Sequence, residues 1–306
     1  MIAAFVAVYL IWGSTYLAIR VAVETLPPFL MAGARFLLAG LLLYGWTAAR
    51  GASRPGRRAW IAAAIVGALL LLGGNGGVVW AEQRVPSSIT ALLVASEPLW
   101  IVLLDWLRPG GKRPQPLAAL GVLLGFGGVA LLIGPAVLQG SGTLSFISPL
   151  VIVLAALCWA AGSLYARSAP LPASGAQASA MQMLIGGFLL LLAGLGTNEM
   201  QRFASTTISL RSALAVGYLV IFGSLGAFTA YAWLVTHTTA TRASTYAYVN
   251  PVVAVLLGWA LLSEPVTPRT LVAAAIIIGS VVIITLSRPA SEVAPAVPEL
   301  PSATEA

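Results

Sequence analysis

Charge is scarce in this sequence. Only 8% of its 306 residues are Asp, Glu, Lys or Arg, where a soluble domain carries about a quarter. With 59% of residues hydrophobic and a mean hydropathy of +0.95, a water-facing surface cannot be built, and an ordinary soluble enzyme is excluded. Cys158 is the one cysteine, which rules out an intrachain disulfide and a cysteine-based metal site. His237 is the one histidine, which removes most zinc chemistry. The one lysine, Lys112, is followed by Arg113 in a chain without a GxxxxGK[ST] loop, so ATP hydrolysis at a P-loop is excluded. Gly162-Ser163 lacks the flanks and the base of a nucleophile elbow. No catalytic set, metal or cofactor is expected. The formal charge of +7 comes from arginines scattered between apolar runs, without a basic face interleaved with aromatics, so nucleic acid is not an expected partner.

Long apolar runs are what the chain has instead. A helix of roughly 20 apolar residues crosses the hydrocarbon core of a bilayer. Ten such runs are expected, near 2–19, 29–49, 59–81, 87–107, 116–135, 144–166, 173–195, 212–236, 242–262 and 270–287. Breakers such as Pro27-Pro28, Pro109-Gly110-Gly111, Pro170-Leu171-Pro172 and Glu264-Pro265 separate them. The first run has neither a basic start nor a cleavage site and is expected to stay as a helix. The Pro-, Ala- and Glu-rich segment 289–306 is expected to be a disordered cytoplasmic tail. Connections after even-numbered runs, with the C-terminal end, carry ten Lys and Arg; the opposite set carries five. By the positive-inside rule both termini are cytoplasmic, in a multi-pass protein of the cell membrane.

A repeat is also present. Shifting the sequence by 147 brings Trp12 onto Trp159, Arg20 onto Arg167, Gly40 onto Gly187 and Arg35 onto Gln182. A shift of 153 brings Gly73 onto Gly226, Trp80 onto Trp233, Pro98 onto Pro251 and Trp106 onto Trp259. Two units of five helices, 1–137 and 144–288, follow. An odd number of crossings inverts the second unit relative to the first, as in many secondary transporters. The expected fold is therefore an all-α membrane protein of ten transmembrane helices in two inverted five-helix repeats.

Several segments resemble the EamA-type drug/metabolite transporters, and among them the YedA-like bacterial inner-membrane exporters. They are Trp12-Gly13-Ser14-Thr15-Tyr16, Pro27-Pro28 with Arg35-Phe36, Gly73-Gly74-Asn75-Gly76, Ala81-Glu82-Gln83 with Val85-Pro86-Ser87, and Ser244-Thr245-Tyr246-Ala247-Tyr248-Val249-Asn250-Pro251. The likeness covers residue 1 to about 288. It implies two EamA repeats and export of small metabolites or toxic compounds, with runs one, three, four, six, eight and nine lining the path. Glu97 before Pro98 departs from the YedA-like pattern, although other EamA members carry Glu-Pro there.

Ionisable residues within spans point to function by default. Glu97, in the fourth run, is the sharpest: a carboxylate at mid-membrane suits either proton coupling or the amino group of a solute, and its structural alternative is an ion pair with Arg35 or with an arginine at a helix end. Arg35 can hold a carboxylate or phosphate, or else pair with Glu97 or with carbonyls of a neighbouring helix. Its repeat counterpart Gln182 is neutral. Glu82 falls at the outer end of the third run, and Asp105 forms an (i, i+3) surface pair with Arg108. Asn75, inside a glycine run, is expected at a cavity wall. Trp12 and Tyr16 share one helix face, as do Tyr246 and Asn250, and Trp159 repeats Trp12. Trp80, Trp233 and Tyr248 are candidates for lipid-facing belts. Gly121 and Gly125 with Ala275 and Gly279 read as packing positions, within the bundle or between protomers of a monomer or homodimer. The substrate-binding set is thus Trp12, Tyr16, Arg35, Asn75, Glu97, Trp159, Gln182, Tyr246 and Asn250, with Glu97 as the proton-coupling group. The expected activity is export of an amino acid-like or amphipathic solute by alternating access. An uncoupled facilitator, or a lipid-phosphate translocator using Arg35 and the tryptophans, stays open.

Overall fold

The computed structural model describes residues 1–111, 113–138, 143–227 and 245–287, with positions 230, 231, 234 and 238. Among these residues every regular element is a helix: α1 Ile2–Ala22, α2 Pro28–Ala49, α3 Arg57–Ala81, α4 Ser87–Leu107, α5 Pro116–Leu138, α6 Thr143–Ala166, α7 Gly175–Gly196, α8 Leu210–Gly226, α9 Tyr246–Leu262 and α10 Pro268–Leu286, with a short helix Glu199–Ser205 after α7. Eight are long and apolar enough to cross a membrane, while α8 and α9 are shorter apolar helices over their described part. Lys112, Trp233, His237, Arg242, Ser244, Arg288 and the tail from 289 lie outside the described residues.

Caps set the helix ends. Pro28 opens α2, where its missing N–H is no loss, and extended Pro27 precedes it. The seventh run begins at Gly175 because the Ser174 hydroxyl accepts the Gln177 N–H at 3.4 Å. The last begins at Pro268, where Thr267 accepts the Thr270 N–H at 3.1 Å. Ser263, at φ 53°, ends α9 in the left-handed region.

The helices pack α2 on α7, α5 on α10, α1 on α9 and α8, and α3 on α6, with α4 against α6 and α9. Small residues allow this, since lipid supplies no hydrophobic drive between helices. A Cβ on Gly33 would sit 2.9 Å from the Gly187 carbonyl, and one on Gly187 would sit 2.7 Å from the Leu37 nitrogen. The Gly121 and Gly125 pair packs inside the chain, against Ile284 and Ser280 of α10 and Leu99 of α4. Gly279 faces open space, and Ala275 is exposed. Leu41, Leu42, Leu123, Leu256 and Trp259 form part of the outward apolar surface, as lipid requires.

Side chains between helices define two faces of the bundle. On the first, Glu199 accepts the Phe29 and Leu30 N–H groups at 3.3 and 3.0 Å, closing the start of α2. Glu264 closes the start of α4, taking the Ser87 N–H at 2.7 Å, its hydroxyl at 2.9 Å and the Ser88 N–H at 2.9 Å. Ser212 donates to the Val21 carbonyl at 2.9 Å, and Arg269 to the Leu131 and Leu132 carbonyls. On the second face Gln177 donates to the Ser53 carbonyl at 2.8 Å. Asp105 and Arg108 make the expected exposed pair there, at 2.9 Å.

Candidate functional site

The fourth span is broken in the middle. Helix ends at Val94, Ala95 and Ser96 turn, and it restarts at Glu97 with Pro98 behind it. Pro98 has no N–H for the Val94 carbonyl four residues back, and the Ser96 hydroxyl turns onto the Leu93 carbonyl at 2.6 Å. Glu97 therefore occupies the first position of a half-helix, where free N–H groups and the helix dipole favour negative charge. It is half-buried.

Aromatic rings stand around it. Trp12 meets Tyr231 with ring centroids 5.1 Å apart and Tyr246 edge-on at 5.1 Å, while Tyr231 and Tyr246 meet edge-on at 5.5 Å. A side-chain hydrogen bond joins the two tyrosines. The Glu97 carboxylate is within electrostatic range of the hydroxyls of Tyr16, Tyr231 and Tyr246. A carboxylate within electrostatic range of an aromatic cluster suits a cationic or amino-bearing group.

Two π-helical segments complete the setting, at Ala68–Asn75 in α3 and Leu219–Gly226 in α8. Such segments disturb the regular ladder and recur at functional sites. In α3 the glycines let α6 come close: a Cβ on Gly74 would lie 2.8 Å from the Trp159 ring, and one on Gly73 3.0 Å from Cys158. The Asn75 Oδ1 atom is buried without a hydrogen-bond partner among the described residues, as is that of Asn250 on α9. In α8 the Gly223 carbonyl accepts the Trp12 indole N–H at 3.3 Å, and Tyr218 bonds Ser14 at 2.6 Å.

Ring contacts bring Trp12 and Tyr246 together with Tyr231, and Tyr16 and Glu97 lie within electrostatic range of Tyr246. Trp159 lies against the α3 glycines. Arg35 is buried behind the α8 segment: its Nε donates to Ser224 at 2.9 Å and its guanidinium lies 4.6 Å from the centre of the Phe36 ring. Among the described residues no ion pair joins it to Glu97, so the pairing considered from sequence gives way to the Ser224 bond. Gln182 is half-buried on α7, where its backbone carbonyl would lie 2.8 Å from a Cβ on Gly67 of α3. Trp80, considered for a lipid belt, packs on the buried cluster around Leu92 and Ile152, with Arg84 over its ring. Tyr231 was missed: it is one aromatic in an apolar run, with no repeat partner or motif to single it out. Glu264, read as a helix breaker, is the cap of α4. Among the described residues no group of three or more His, Cys, Asp or Glu is placed to hold a metal ion.

Comparison with known proteins adds the family. The EamA-like transporter family matches residues 1–134 and 146–286. An uncharacterized inner membrane transporter, YedA of Escherichia coli K12, is 40% identical over 286 residues, 93% of this chain and 90% of that protein. An uncharacterized transporter of Bacillus subtilis, YvbV, is 24% identical over 93% of this chain and 91% of its own length. A WAT1-related chloroplastic protein of Arabidopsis thaliana is 26% identical, over 90% of this chain and 67% of its own. A crystal structure 22% identical in sequence shares the fold, with a TM-score of 0.62 over 92% of this chain and 95% of that one. With its apolar helices, this makes the chain an integral membrane transporter rather than an enzyme. The chain belongs to the EamA-like transporter family.

Proposed function

We propose that the protein is a secondary transporter that exports a small organic solute across the inner membrane by alternating access. In this reading it spans the membrane ten times, as two inverted five-helix repeats with both termini in the cytoplasm. The separate family matches to 1–134 and 146–286 favour two units. So do the π segments, which fall in corresponding helices, α3 and α8, of the two halves. The excess of basic residues supports a second face inside and the face closed by Glu199 and Glu264 outside.

One observation carries the site: Glu97 at the α4 break within electrostatic range of Tyr16, Tyr231 and Tyr246, with Trp12 tilted against Tyr231 and edge-on to Tyr246. Broken helices at the midplane are where transporters of this kind hold cargo. The rings would seat the apolar or aromatic part of an amphipathic or amino acid-like solute, and Glu97 its amino group. Asn75 and Asn250 offer oxygens without other partners among the described residues. Trp159 forms a wall across from α3. Arg35, bonded to Ser224, acts through α8 as a positioning residue, with Gln182 behind α3 in the second half.

Glu97 also carries the coupling proton in this reading, because solute and proton competing for one carboxylate exchange one for the other. The test is the extracellular metabolite profile of cells overproducing the wild type or Glu97→Gln. A solute that accumulates outside only with the wild type, and whose export follows an imposed pH step, supports the reading. Wild-type, pH-driven export by Glu97→Gln ends the role of Glu97, and export indifferent to pH makes the protein an uncoupled facilitator.

A further inference from the structure

Three carboxylates are buried at the first face, and two of them are fully used. Glu199 accepts two backbone N–H groups of α2, and Glu264 accepts two N–H groups and a hydroxyl of α4. The third, Glu82, directly follows α3. Its side chain is 0% exposed, and neither carboxyl oxygen has a hydrogen-bond partner among the described residues. An ionised carboxylate without donors in such a place is far costlier than the neutral acid.

Its charged surroundings do not reverse that preference. Arg20 of α1 is the cation that reaches it, but the guanidinium donates to the backbone carbonyl of Glu82 rather than to its carboxylate. Glu264, from the α9–α10 connection, adds a negative charge, and Tyr16, one turn before Arg20, presents a neutral hydroxyl. Burial first, then Glu264, hold the Glu82 carboxyl well above the usual carboxylate range, with Arg20 pulling the other way.

We propose that Glu82 is a second proton-binding site of this protein, occupied while the first face is closed. Opening that face wets the carboxyl, which gives its proton to water; closing it takes one proton back from water. The consequence for transport rests on the alternating-access reading: sealing this face then binds a proton at a place separate from the solute site. Tyr16 is within electrostatic range of both Glu82 and Glu97.

The experiment needs no solute. The full chain is reconstituted in lipid and titrated while the carbonyl stretch of protonated carboxyl groups is followed by infrared spectroscopy, with glutamate-specific carbon-13 labelling to identify the band. At pH 7 the wild type is expected to show a protonated glutamate band that Glu82→Gln lacks and Glu97→Gln retains. Glu264→Gln removes the neighbouring negative charge and lowers the midpoint at which the band disappears, by about one pH unit or tenfold in proton affinity. If Glu82→Gln does not fold, the Glu264→Gln shift in labelled protein carries the test. Absence of the band at pH 7, its survival in Glu82→Gln, or an upward shift in Glu264→Gln overturns the proposal. Since no transport is measured, these outcomes are independent of whether Glu97→Gln keeps or loses export.

Discussion

A buried carboxylate costs least when every oxygen is given a donor, and Glu264 shows how a transporter of this kind uses one. Two of its three hydrogen bonds satisfy the first N–H groups of α4, which Pro86 just before them cannot cap with a side chain, and the third takes the Ser87 hydroxyl. Replacing it with alanine leaves the Ser87 and Ser88 donors buried and unpaired, with an expected loss of ~3 kcal/mol. Glu264→Ala should therefore melt well below the wild type in detergent, with Glu264→Gln in between because an amide oxygen still accepts. Equal melting of all three would mean that water replaces the carboxylate. At the proposed solute site a hydroxyl matters in a different way. Tyr246→Phe keeps the edge-on contacts with Trp12 and Tyr231 and removes the bond to Tyr231. The expected result is an unchanged melting temperature with reduced export, and unreduced export would place that hydroxyl outside the path.

Helices act here through their irregular parts. The α4 break depends on Pro98, whose missing N–H frees the Val94 carbonyl. Pro98→Ala restores that donor and favours one continuous helix through Glu97. It should keep or raise the melting temperature while lowering export, a split that damage to packing would not produce. The glycines of α3 make the opposite case. A side chain at Gly74 meets Trp159 at 2.8 Å, whereas one at Gly45 of α2 meets nothing within 4 Å. Gly74→Leu should cost at least 1–3 kcal/mol of stability, and Gly45→Leu next to nothing, as compared by melting in lipid nanodiscs. The eight long apolar helices could be read from hydropathy because lipid demands it residue by residue. The breaks could not. In the run 87–107 Pro98 marks a weak point, but hydropathy does not distinguish a kinked helix from one interrupted outright at Ala95-Ser96. The glycine run hinted at an irregular α3, but Leu219–Gly226 gives no such hint in α8. Pairings distant in sequence, Trp12 with Tyr231 or Ser87 with Glu264, are set by three-dimensional packing, and local patterns do not encode them.

At the scale of the whole molecule, the proposed export depends on which face looks outward. Cross-links among described residues gather at the first face: Glu199 to α2, Glu264 to α4, Ser212 to α1 and Arg269 to α5, with Arg211 3.8 Å from Glu24. Five arginines, Arg20, Arg84, Arg202, Arg211 and Arg269, belong to that side, against ten basic residues on the other. Of these five, Arg211 is paired with Glu24, so the net positive charge left to retain that face in the cytoplasm is smaller than the count suggests. The first face should therefore be outside, and an exporter would rest with its outer end sealed and its solute site served from within. The chain's one cysteine makes this simple to check. On a Cys158→Ala background, Ser53→Cys lies exposed in the connection between α2 and α3, and Thr207→Cys lies exposed before α8. In intact cells a membrane-impermeant maleimide should label Thr207→Cys and spare Ser53→Cys until the membrane is opened. The reverse pattern would invert the molecule, turn Glu82 towards the cytoplasm and make the closed face an inner gate. Labelling of both in intact cells would indicate dual insertion, which the two-to-one charge bias argues against.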